Sequence, residues 1–351
     1  DSSPAPFEDV WFEWRRGSDD AYLTASLAPG VGQSSVHRAD FLDAIVANLP
    51  EGIAHFGKRC VEVKQDADSA TAYFDDGTHF TGDVIIGFDG IKSAVRRHVL
   101  PPEQYGEINP FWSGTYAYRG MIPTDELEAA LEAKGSEKRL ALVPQMYLGK
   151  DRHILTFPVK QSQLINVVAF ITDRSTPNPK LAEGEEWVKA SSQKEMLEVF
   201  KGWSPACQAI LECIPEPTRW ALHELPELAR YHRDRVLIVG DAAHALVPHQ
   251  GAGAGQALED AYVLASLLTD EHCDRHTVND VLAAFEQVRH ARTCKVQRTS
   301  HEAGDVYEYA GENIGDDEAK LIENLENRFD WLWNHDPHDD VIAARKLRVT
   351  L

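Results

Sequence analysis

The most informative pattern of apolar and polar positions lies in residues 235–261. Four apolar residues, Val236–Val239, predict a short buried strand, and Gly240-Asp241 then places a carboxylate at its carboxyl end. A glycine-rich loop follows, where the backbone can approach a ligand closely, and from Gln256 the chain reads as a helix. In α/β proteins this order of strand, acid, loop and helix N-terminus builds a cofactor crevice. The apolar face predicted for the helix consists of Leu258, Ala261, Ala265 and Leu268.

A second unit of the same kind lies earlier in the chain. Asp83–Gly87 predicts another short buried strand, which runs into Asp89-Gly90 and then into a short helix. Gly90 permits a tight turn, and Ser93 can cap the helix. Arg96 or Arg97 is expected to pair either with Asp89 or with a phosphate group. Two such units indicate a cofactor site more strongly than one.

The first part of the chain predicts a hairpin followed by a helix. Trp11–Arg16 and Tyr22–Leu27 read as paired strands joined by a polar turn. The helix begins near Arg38 and ends at Pro50. An arginine at this position is either an ordinary surface residue or one that reaches a phosphate. The apolar face predicted for this helix consists of Leu42, Ile45, Val46 and Leu49.

From Pro101 onwards the pattern changes to the short, successive strands of a mainly antiparallel sheet. Residues 186–200 and 206–213 read as helices, and a long amphipathic helix is predicted within 275–303. The strands predicted for the sheet are 112–120, Leu140–Val143, Met146–Leu148, His153–Phe157 and Leu164–Phe170.

Composition narrows the functional classes. The chain has 351 residues, 43% of them hydrophobic, and a net charge of −21 from 35 basic and 56 acidic residues, which argues against nucleic acid or an anionic membrane as a partner. No apolar run approaches the roughly 18 residues of a membrane span and no signal peptide is recognisable, so we expect a cytoplasmic protein. The five cysteines include no C-x-x-C pair, and HExxH and G-x-S-x-G are both absent from the sequence. A protein-bound metal and a serine nucleophile are therefore not expected.

The two acidic units together resemble the downstream fingerprints of class A FAD-dependent aromatic hydroxylases, in particular the salicylate hydroxylase branch. The resemblance rests on Asp89-Gly90 with Ser93 and Arg96, and on Gly240-Asp241-Ala-Ala-His with Pro248, Gly251 and Gly253. Further matching stretches are Val36–Leu42, Tyr118-Arg119-Gly120, the Gly-Ala-Gly-Ala-Gly-Gln run at 251–256, and Trp331–Asp336.

The resemblance implies an α/β fold in which a doubly wound FAD-binding domain carries an inserted, mainly antiparallel substrate domain and a C-terminal helical segment. The expected bounds are 1–100 and 226–272 for the FAD-binding domain, 101–225 for the substrate domain and 273–351 for the helical segment. Members of the family begin with a βαβ unit bearing G-x-G-x-x-G, which holds the adenosine. No such motif occurs in this sequence, so we expect an FAD-binding domain that is truncated at its N-terminus.

The resemblance also implies the chemistry: NADH or NADPH reduces FAD, O2 adds at flavin C4a, and the hydroperoxide hydroxylates a small phenolic ring. Asp241 would bind the ribityl chain, and the amides of Gly251, Ala252, Gly253 and Ala254 would face the pyrimidine edge of the ring. Pro248 would pack near the face that reacts with oxygen, or merely break the loop. The residues expected near the pyrophosphate and ribityl region are Arg38 and Asp89, whereas His244 is interpreted as a core histidine.

For the substrate, Arg119 is the cation expected to pair with a phenolate or carboxylate, unless it is an exposed strand arginine. Phe157 has no group that can act as an acid or base, as a tyrosine at this position could. Any role in activating the phenol would therefore fall on Arg119 or His153. The remaining pocket candidates, which could equally belong to a sheet core, are Tyr118, Tyr147, Phe157 and Pro158.

Two other functions stay open from the sequence. One is a flavin epoxidase or antibiotic-modifying hydroxylase of the same fold, and the other is a flavin-free, inactive scaffold. The apolar C-terminal stretch Phe329–Trp333 is expected either to brace the chain or to form a homodimer interface.

Overall fold

The computed structural model describes residues 9–33, 38–101, 108–177 and 179–348, except for the side chains of Arg38 and Arg348. The strands are β1 Val10–Arg16, β2 Tyr22–Leu27, β3 Cys60–Gln65, β4 Ala70–Phe74, β5 His79–Gly82, β6 Ile85–Gly87, β7 Phe111–Pro123, β8 Gln145–Gly149, β9 Arg152–Val159, β10 Leu164–Thr172, β11 Val188–Ala190, β12 Thr218–Glu224, β13 His232–Arg233 and β14 Val236–Ile238. The helices are α1 Arg38–Val46, α2 Arg96–Val99, α3 Thr124–Ala133, α4 Gln193–Val199, α5 Pro205–Glu212, α6 Asp241–His244, α7 Gly253–Leu268, α8 Val278–Tyr307, α9 Glu318–Asn327, α10 Asp330–Trp333 and α11 Pro337–Arg348. Short 3-10 helices span Lys138–Ala141 and Pro248–Gln250. The fold class is α/β, as predicted.

The chain forms two compact units. The first, here called the sheet unit, contains residues up to Ile53, Trp112–Leu222 and Gly304–Trp331. The second, here called the fingerprint unit, contains Ala54–Phe111, His223–Ala303 and the residues from Leu332 onwards. Within the described ranges, no helix has both the length and the apolar character needed to cross a membrane.

The domain bounds expected from the sequence stay a prediction, and the compact units divide the chain differently, as two stretches illustrate. Strands β1 and β2 form the predicted hairpin, but β1 also pairs with β8 in parallel, so residues that we assigned to the FAD-binding domain extend the large sheet. Similarly, residues 304–331 lie in the sheet unit and not in a separate helical segment. Both differences arise from pairing between distant parts of the chain, which local patterns do not encode.

The sheet unit is built on a sheet of eight strands in the described part of the chain, in the order β11-β12-β7-β10-β9-β8-β1-β2. One face of this sheet, here called the helix-covered face, packs against α3, α4 and α5. Because side chains alternate along a strand and paired residues share a face, the strand register assigns every residue of β7, β9 and β10 to one face or the other. The helix-covered core includes Ile122, Ile154, Ile165, Val167, Ala169, Leu127, Leu131, Met196, Phe200 and Ile210.

Two predicted elements of the sheet unit are corrected by the structure. The apolar run Leu140–Val143 is not a strand. The 3-10 helix Lys138–Ala141 overlaps it, and Leu140 and Ala141 are buried in the helix-covered core. A short buried apolar run does not distinguish a strand from a helix. Residues 186–200 are not one helix either, since β11 pairs with β12 and α4 starts only after Ser192, whose hydroxyl accepts the Glu195 N–H. Helix α3 was not predicted.

The first helix, α1, is present, but its predicted apolar face is not covered. Phe41, Leu42, Ile45 and Val46 are between 39% and 49% exposed. The C-terminal apolar stretch behaves differently, since Phe329 and Leu332 are buried. These two side chains are therefore covered within the chain itself.

In the fingerprint unit, β6 and β14 pair in parallel, with Ile85 opposite Val236 and Gly87 opposite Ile238. A separate antiparallel sheet contains β3, β4 and β5. Helix α7 corrects a prediction, because Leu258 is 54% exposed and Ala265 is also exposed. Its buried face instead consists of Gln256, Asp260, Val263, Leu264 and Leu267. The apolar pattern was misleading here because two polar residues, Gln256 and Asp260, face the interior.

Candidate functional site

Two parallel strands bring the acidic units to one edge of a sheet. Strands β6 and β14 end side by side, and the amide of Val239 donates to the Gly87 carbonyl at 3.1 Å. Asp89 and Asp241 follow these two strand ends within three residues. Ligands of α/β sheets bind at the carboxyl ends of the strands. The local geometry therefore agrees with the cofactor crevice that the sequence predicts.

The segment from Asp241 to α7 is exposed along the side that a ligand would approach. The Asp241 carboxylate is exposed, and no described residue forms a hydrogen bond with it. Pro248, Gly251 and Ala254 are also exposed, whereas His249 and Gln250 between them are buried. Gly251 has φ 63°, a left-handed conformation that favours glycine. The chain changes direction at this residue, just before α7 begins.

The N-terminus of α7 presents backbone N–H groups of the kind that bind a negatively charged group. Its first N–H groups have no intrahelical acceptor, and the N-cap residue Ala252 offers no side chain to satisfy them. Apart from the adjacent residues and the helix's own backbone, a Cβ added at Gly253 or at Gly255 would meet no atom of the described residues within 4 Å, so there is open space beside these two positions. With the neighbouring Asp241, this cradle fits the ribityl chain and the pyrimidine edge of FAD.

Asp89 forms hydrogen bonds with the residues just before α2, and its expected place near the pyrophosphate and ribityl region stays a prediction. Its carboxylate accepts the Ser93 hydroxyl at 2.6 Å and the amides of Ala94 and Val95 at 2.7 and 3.1 Å. The open alternative, an ion pair with Arg96, is not the contact that the arginine makes. Arg96 is buried, and its guanidinium donates to the carbonyls of Ala242 and Ile91 at 2.9 and 2.7 Å. Arg96 thus ties the first acidic unit to the second.

Residues of α8 form hydrogen bonds with the loop that follows Asp241. The Gln297 amide donates to the Ala245 carbonyl at 3.2 Å, and the Ser300 hydroxyl donates to the Val247 carbonyl at 2.6 Å. The Gln250 amide donates to the Thr299 carbonyl at 3.0 Å. Sequence reasoning missed these supports, because polar residues on a long helix normally indicate its solvent face.

His244 is a buried core histidine, as predicted. Its side chain is 1% exposed, and Nε2 lies 2.6 Å from an oxygen of Asp260. Asp260 in turn contacts Arg289, whose side chain is fully buried, at 2.9 Å. The sequence analysis singled out neither Asp260 nor Arg289.

One of the matching features, the stretch Val36–Leu42, falls partly outside the described residues. Val36 and His37 lie outside them altogether, and α1 begins at Arg38, whose side chain is not described. The predicted contact of Arg38 with a pyrophosphate remains a prediction.

In the sheet unit, Arg119 lies on the face opposite the helices, here called the Arg119 face. The register places Arg119 beside Val168, with Leu155 on the next strand, and places Phe157 beside Asn166. Arg119 is exposed, and its guanidinium lies 5.1 Å from the centre of the Trp220 ring. No carboxylate of a described residue pairs with it. Arg119 is therefore a cation among largely apolar neighbours, available for an anion.

Three predicted pocket residues lie on the other side of the sheet. Tyr118, Tyr147 and Pro158 belong to the helix-covered face by register. The Tyr118 hydroxyl donates to Glu195 at 3.0 Å, and burial together with that carboxylate raises the pKa of Tyr118 to about 12. Burial also raises the pKa of Tyr147 well above its ordinary value. Of the four pocket candidates, only Phe157 shares a face with Arg119, because adjacent residues on a strand point in opposite directions.

His153 shares the Arg119 face but is buried there. Its ring stacks on Phe170 with centroids 4.2 Å apart, and Nδ1 lies 2.9 Å from Glu308. Burial alone would raise the pKa of Glu308, but the hydrogen bonds and charges of His153 and Arg174 lower it to about 2. His153 is therefore held in a buried hydrogen bond with Glu308, and the structure does not bring it together with Arg119.

Comparison with known proteins identifies the family of this chain. A model of the FAD binding domain family matches residues 206–300. The chain is 55% identical over 345 residues to a salicylate hydroxylase of Pseudomonas putida, covering 98% of this chain and 80% of that protein. It is 35% identical over 337 residues to the 6-methylsalicylate 1-monooxygenase of Aspergillus terreus, covering 94% and 73%.

A solved structure of a salicylate hydroxylase substrate complex has a TM-score of 0.94 to this chain at 45% identity, covering 98% of this chain and 84% of that one. Identity and coverage at this level extend far beyond the two acidic fingerprints. The chain belongs to the FAD-dependent aromatic hydroxylases of the salicylate hydroxylase type, which are flavin monooxygenases.

Proposed function

We propose that this protein hydroxylates a small phenol that carries a carboxylate, of the salicylate class, using O2 and NADH or NADPH. The names of the relatives support this substrate class, since proteins 55% and 35% identical are named for salicylate and 6-methylsalicylate. The observation that carries the proposal is Arg119, an exposed cation without a carboxylate partner among the described residues, on an apolar sheet face.

The guanidinium of Arg119 is suited to a carboxylate or phenolate, because its planar donors can form two parallel hydrogen bonds with such a group. Trp220 lies beside it at a distance that gives a cation–π contact and restricts its orientation. The surrounding Leu155, Phe157 and Met121 side chains offer an apolar surface for an aromatic ring. Together these residues would bind the anionic group, orient the ring and exclude water from it.

On the cofactor side, we propose that Asp241 binds the ribityl hydroxyls and that the amides of Gly253 and Ala254 hold the pyrimidine edge. Amides at a helix N-terminus stabilise negative charge at the atoms they face. Gly251 and Ala252 shape the loop that leads to them, and Pro248 contributes an exposed, rigid surface at its start. When FAD is bound, it supplies the redox and oxygen chemistry, and the protein supplies binding and orientation.

The test is substrate-dependent turnover of the purified protein supplied with FAD. We expect salicylate to stimulate the oxidation of NADH or NADPH and to yield a hydroxylated product, identified by chromatography and mass spectrometry. Arg119→Ala should lower kcat/KM for salicylate about 10- to 100-fold, since a hydrogen bond to a charged group contributes about 1.5–3 kcal/mol.

A matched control is Arg16→Ala, which removes an arginine of strand β1 that pairs with Asp19 and Glu318 at the surface. This variant should keep wild-type turnover. The proposal fails if salicylate does not stimulate nicotinamide oxidation, or if Arg119→Ala and Arg16→Ala behave alike. Turnover of a neutral alkene or of an uncharged phenol that is unaffected by Arg119→Ala would instead favour the epoxidase or antibiotic-modifying alternative.

A further inference from the structure

A buried carboxylate lies directly beneath the turn that presents Asp241. Asp260, in the second turn of α7, has a side chain only 2% exposed. One of its oxygens accepts the amide N–H of Gly240 at 3.0 Å and contacts His244 Nε2 at 2.6 Å. Gly240 and His244 flank α6 at its start and its end. A single oxygen therefore holds both ends of the four-residue helix that begins with Asp241.

The other oxygen of Asp260 ties this turn to α8. It accepts the Arg289 Nε–H at 2.9 Å, and the same guanidinium donates to Glu259 at 2.7 Å and to Asp340 at 3.0 Å. Burial alone would raise the pKa of Asp260, but the hydrogen bond from His244 and the charge of Arg289 lower it below its ordinary value. Asp260 is thus ionised, and each of its oxygens accepts a directed hydrogen bond.

The turn needs such support because its backbone is unusual. Gly240 has φ 57° and ψ −144°, which a residue with a side chain rarely adopts. A Cβ at this position would also lie 3.2 Å from Ala257 Cβ, so the turn packs closely on α7.

We propose that Asp260 is a positioning residue for the cofactor, because it fixes the Gly240–His244 turn on α7. Asp241 and the first amides of α7 can then bind the same ligand. This inference rests on the FAD site of the proposed function. It goes beyond it by assigning the alignment of that site to a buried residue that does not itself face the ligand. Arg289 supports Asp260 from the opposite side.

The direct test compares Asp260→Asn with Glu286→Gln in the full chain. Glu286 is a suitable control, because it is a carboxylate of the same unit that also accepts two backbone amides, those of Tyr231 and His232. Asparagine keeps the shape of Asp260 but turns an NH2 group towards one of its donors. Hydrogen–deuterium exchange of the peptide covering 237–246, measured without FAD, should become faster in Asp260→Asn and stay unchanged in Glu286→Gln.

The second readout is the dissociation constant of FAD, measured by flavin fluorescence. We expect it to rise at least about 10-fold in Asp260→Asn, which corresponds to about 1.4 kcal/mol, and to change less than about twofold in Glu286→Gln. Should Asp260→Asn not fold, His244→Asn, which removes one of the three contacts, should give the same pattern with smaller changes.

Unchanged exchange at the turn, or faster exchange with unchanged FAD affinity, would overturn the proposal. Equal losses of FAD affinity in Asp260→Asn and Glu286→Gln would also overturn it, because they would reflect general destabilisation. A wild-type chain that does not bind FAD would contradict the proposed function instead, and the exchange measurement would still decide whether Asp260 holds the turn.

Discussion

The two units of this protein build their candidate sites in opposite ways. In the fingerprint unit, the groups offered to a ligand are mostly backbone amides and glycines, and buried charges beneath them hold the loop in place. In the sheet unit, the candidate group is the long side chain of Arg119, supported by an aromatic ring on an exposed face. The first site depends on a fixed main chain, whereas the second depends on one side chain.

This difference predicts which amino-acid substitutions each site can tolerate. A backbone site shows its requirements in the spacing of glycines and acids, and a substitution acts through the conformation of the loop. A side-chain site on a sheet can change its ligand with one substitution while the fold stays intact, because exposed strand positions contribute little to stability. We therefore expect cofactor binding and substrate choice to respond to different kinds of mutation.

The largest expected effect is the loss of the buried charge network in the fingerprint unit. Arg289→Met leaves Asp260 buried without its cation and should lower the free energy of unfolding by about 3–5 kcal/mol. The control on the same helix is Arg298→Met, which breaks an exposed pair with Glu227 and should cost at most about 1 kcal/mol. Chemical denaturation of both variants measures the difference, and equal losses would contradict the role of the network.

A comparable network in the sheet unit should appear in the pH dependence of stability. The pKa of Glu308 is lowered from 4.5 to about 2, so the folded state favours its ionised form. Its contribution, about 3 kcal/mol at neutral pH, is present above pH 4.5 and is lost as the pH falls towards 2. Glu308→Gln should remove this contribution. Its unfolding free energy should therefore differ from wild type at pH 7 and converge with it near pH 2. A constant difference would argue against the lowered pKa of Glu308.

Replacing glycine by alanine should affect the two units in opposite ways. At Gly120 a Cβ would lie 2.5 Å from Ile214, so Gly120→Ala should cost about 1–3 kcal/mol of stability. At Gly253 a Cβ meets nothing within 4 Å, and Gly253→Ala should leave stability unchanged or raise it by up to about 1 kcal/mol. The added methyl group should nevertheless weaken FAD binding, measured by fluorescence, because it covers the amides of α7. Unchanged FAD affinity in Gly253→Ala would remove these amides from the site.

The smallest effect is expected at the residue beside Arg119. Trp220→Leu removes a cation–π contact that contributes about 0.5–1 kcal/mol, so the KM for salicylate should rise about two- to fivefold with little change in thermal stability. Phe80→Leu, which changes an exposed aromatic residue of the fingerprint unit, is the control and should leave KM unaltered. A KM that does not change in Trp220→Leu would show that Arg119 needs no aromatic support.

Much of the fingerprint unit could be predicted from the sequence. Gly90 and Gly240 both adopt positive φ, and the acids follow parallel strands as their spacing indicates. The buried charged residues that hold the loop after Gly240 could not be predicted. Asp260 and Arg289 look like solvent-facing helix residues, because a pattern of polarity does not distinguish an exposed charge from one that is paired inside the protein.

The sheet unit was less predictable, for a geometric reason. The strands themselves followed from alternation, but the face on which a residue lies depends on register and on which side the helices cover. Tyr118 and Arg119 are neighbours in sequence, and the sheet directs one towards Glu195 and the other to the opposite face. Likewise, His153 is a plausible acid or base in the sequence, but its buried pairing with Glu308 becomes visible only when the end of α8 is in place.

The central claim, that Arg119 recognises a carboxylate on a phenolic substrate, is tested most directly by a ratio of specificities. We would measure kcat/KM for salicylate and for its neutral carboxamide analogue, salicylamide, with wild-type protein and with Arg119→Ala. The account predicts that wild-type protein prefers the carboxylate by about 10- to 100-fold and that the preference falls to within a few-fold in the variant. An unchanged preference in Arg119→Ala would contradict it.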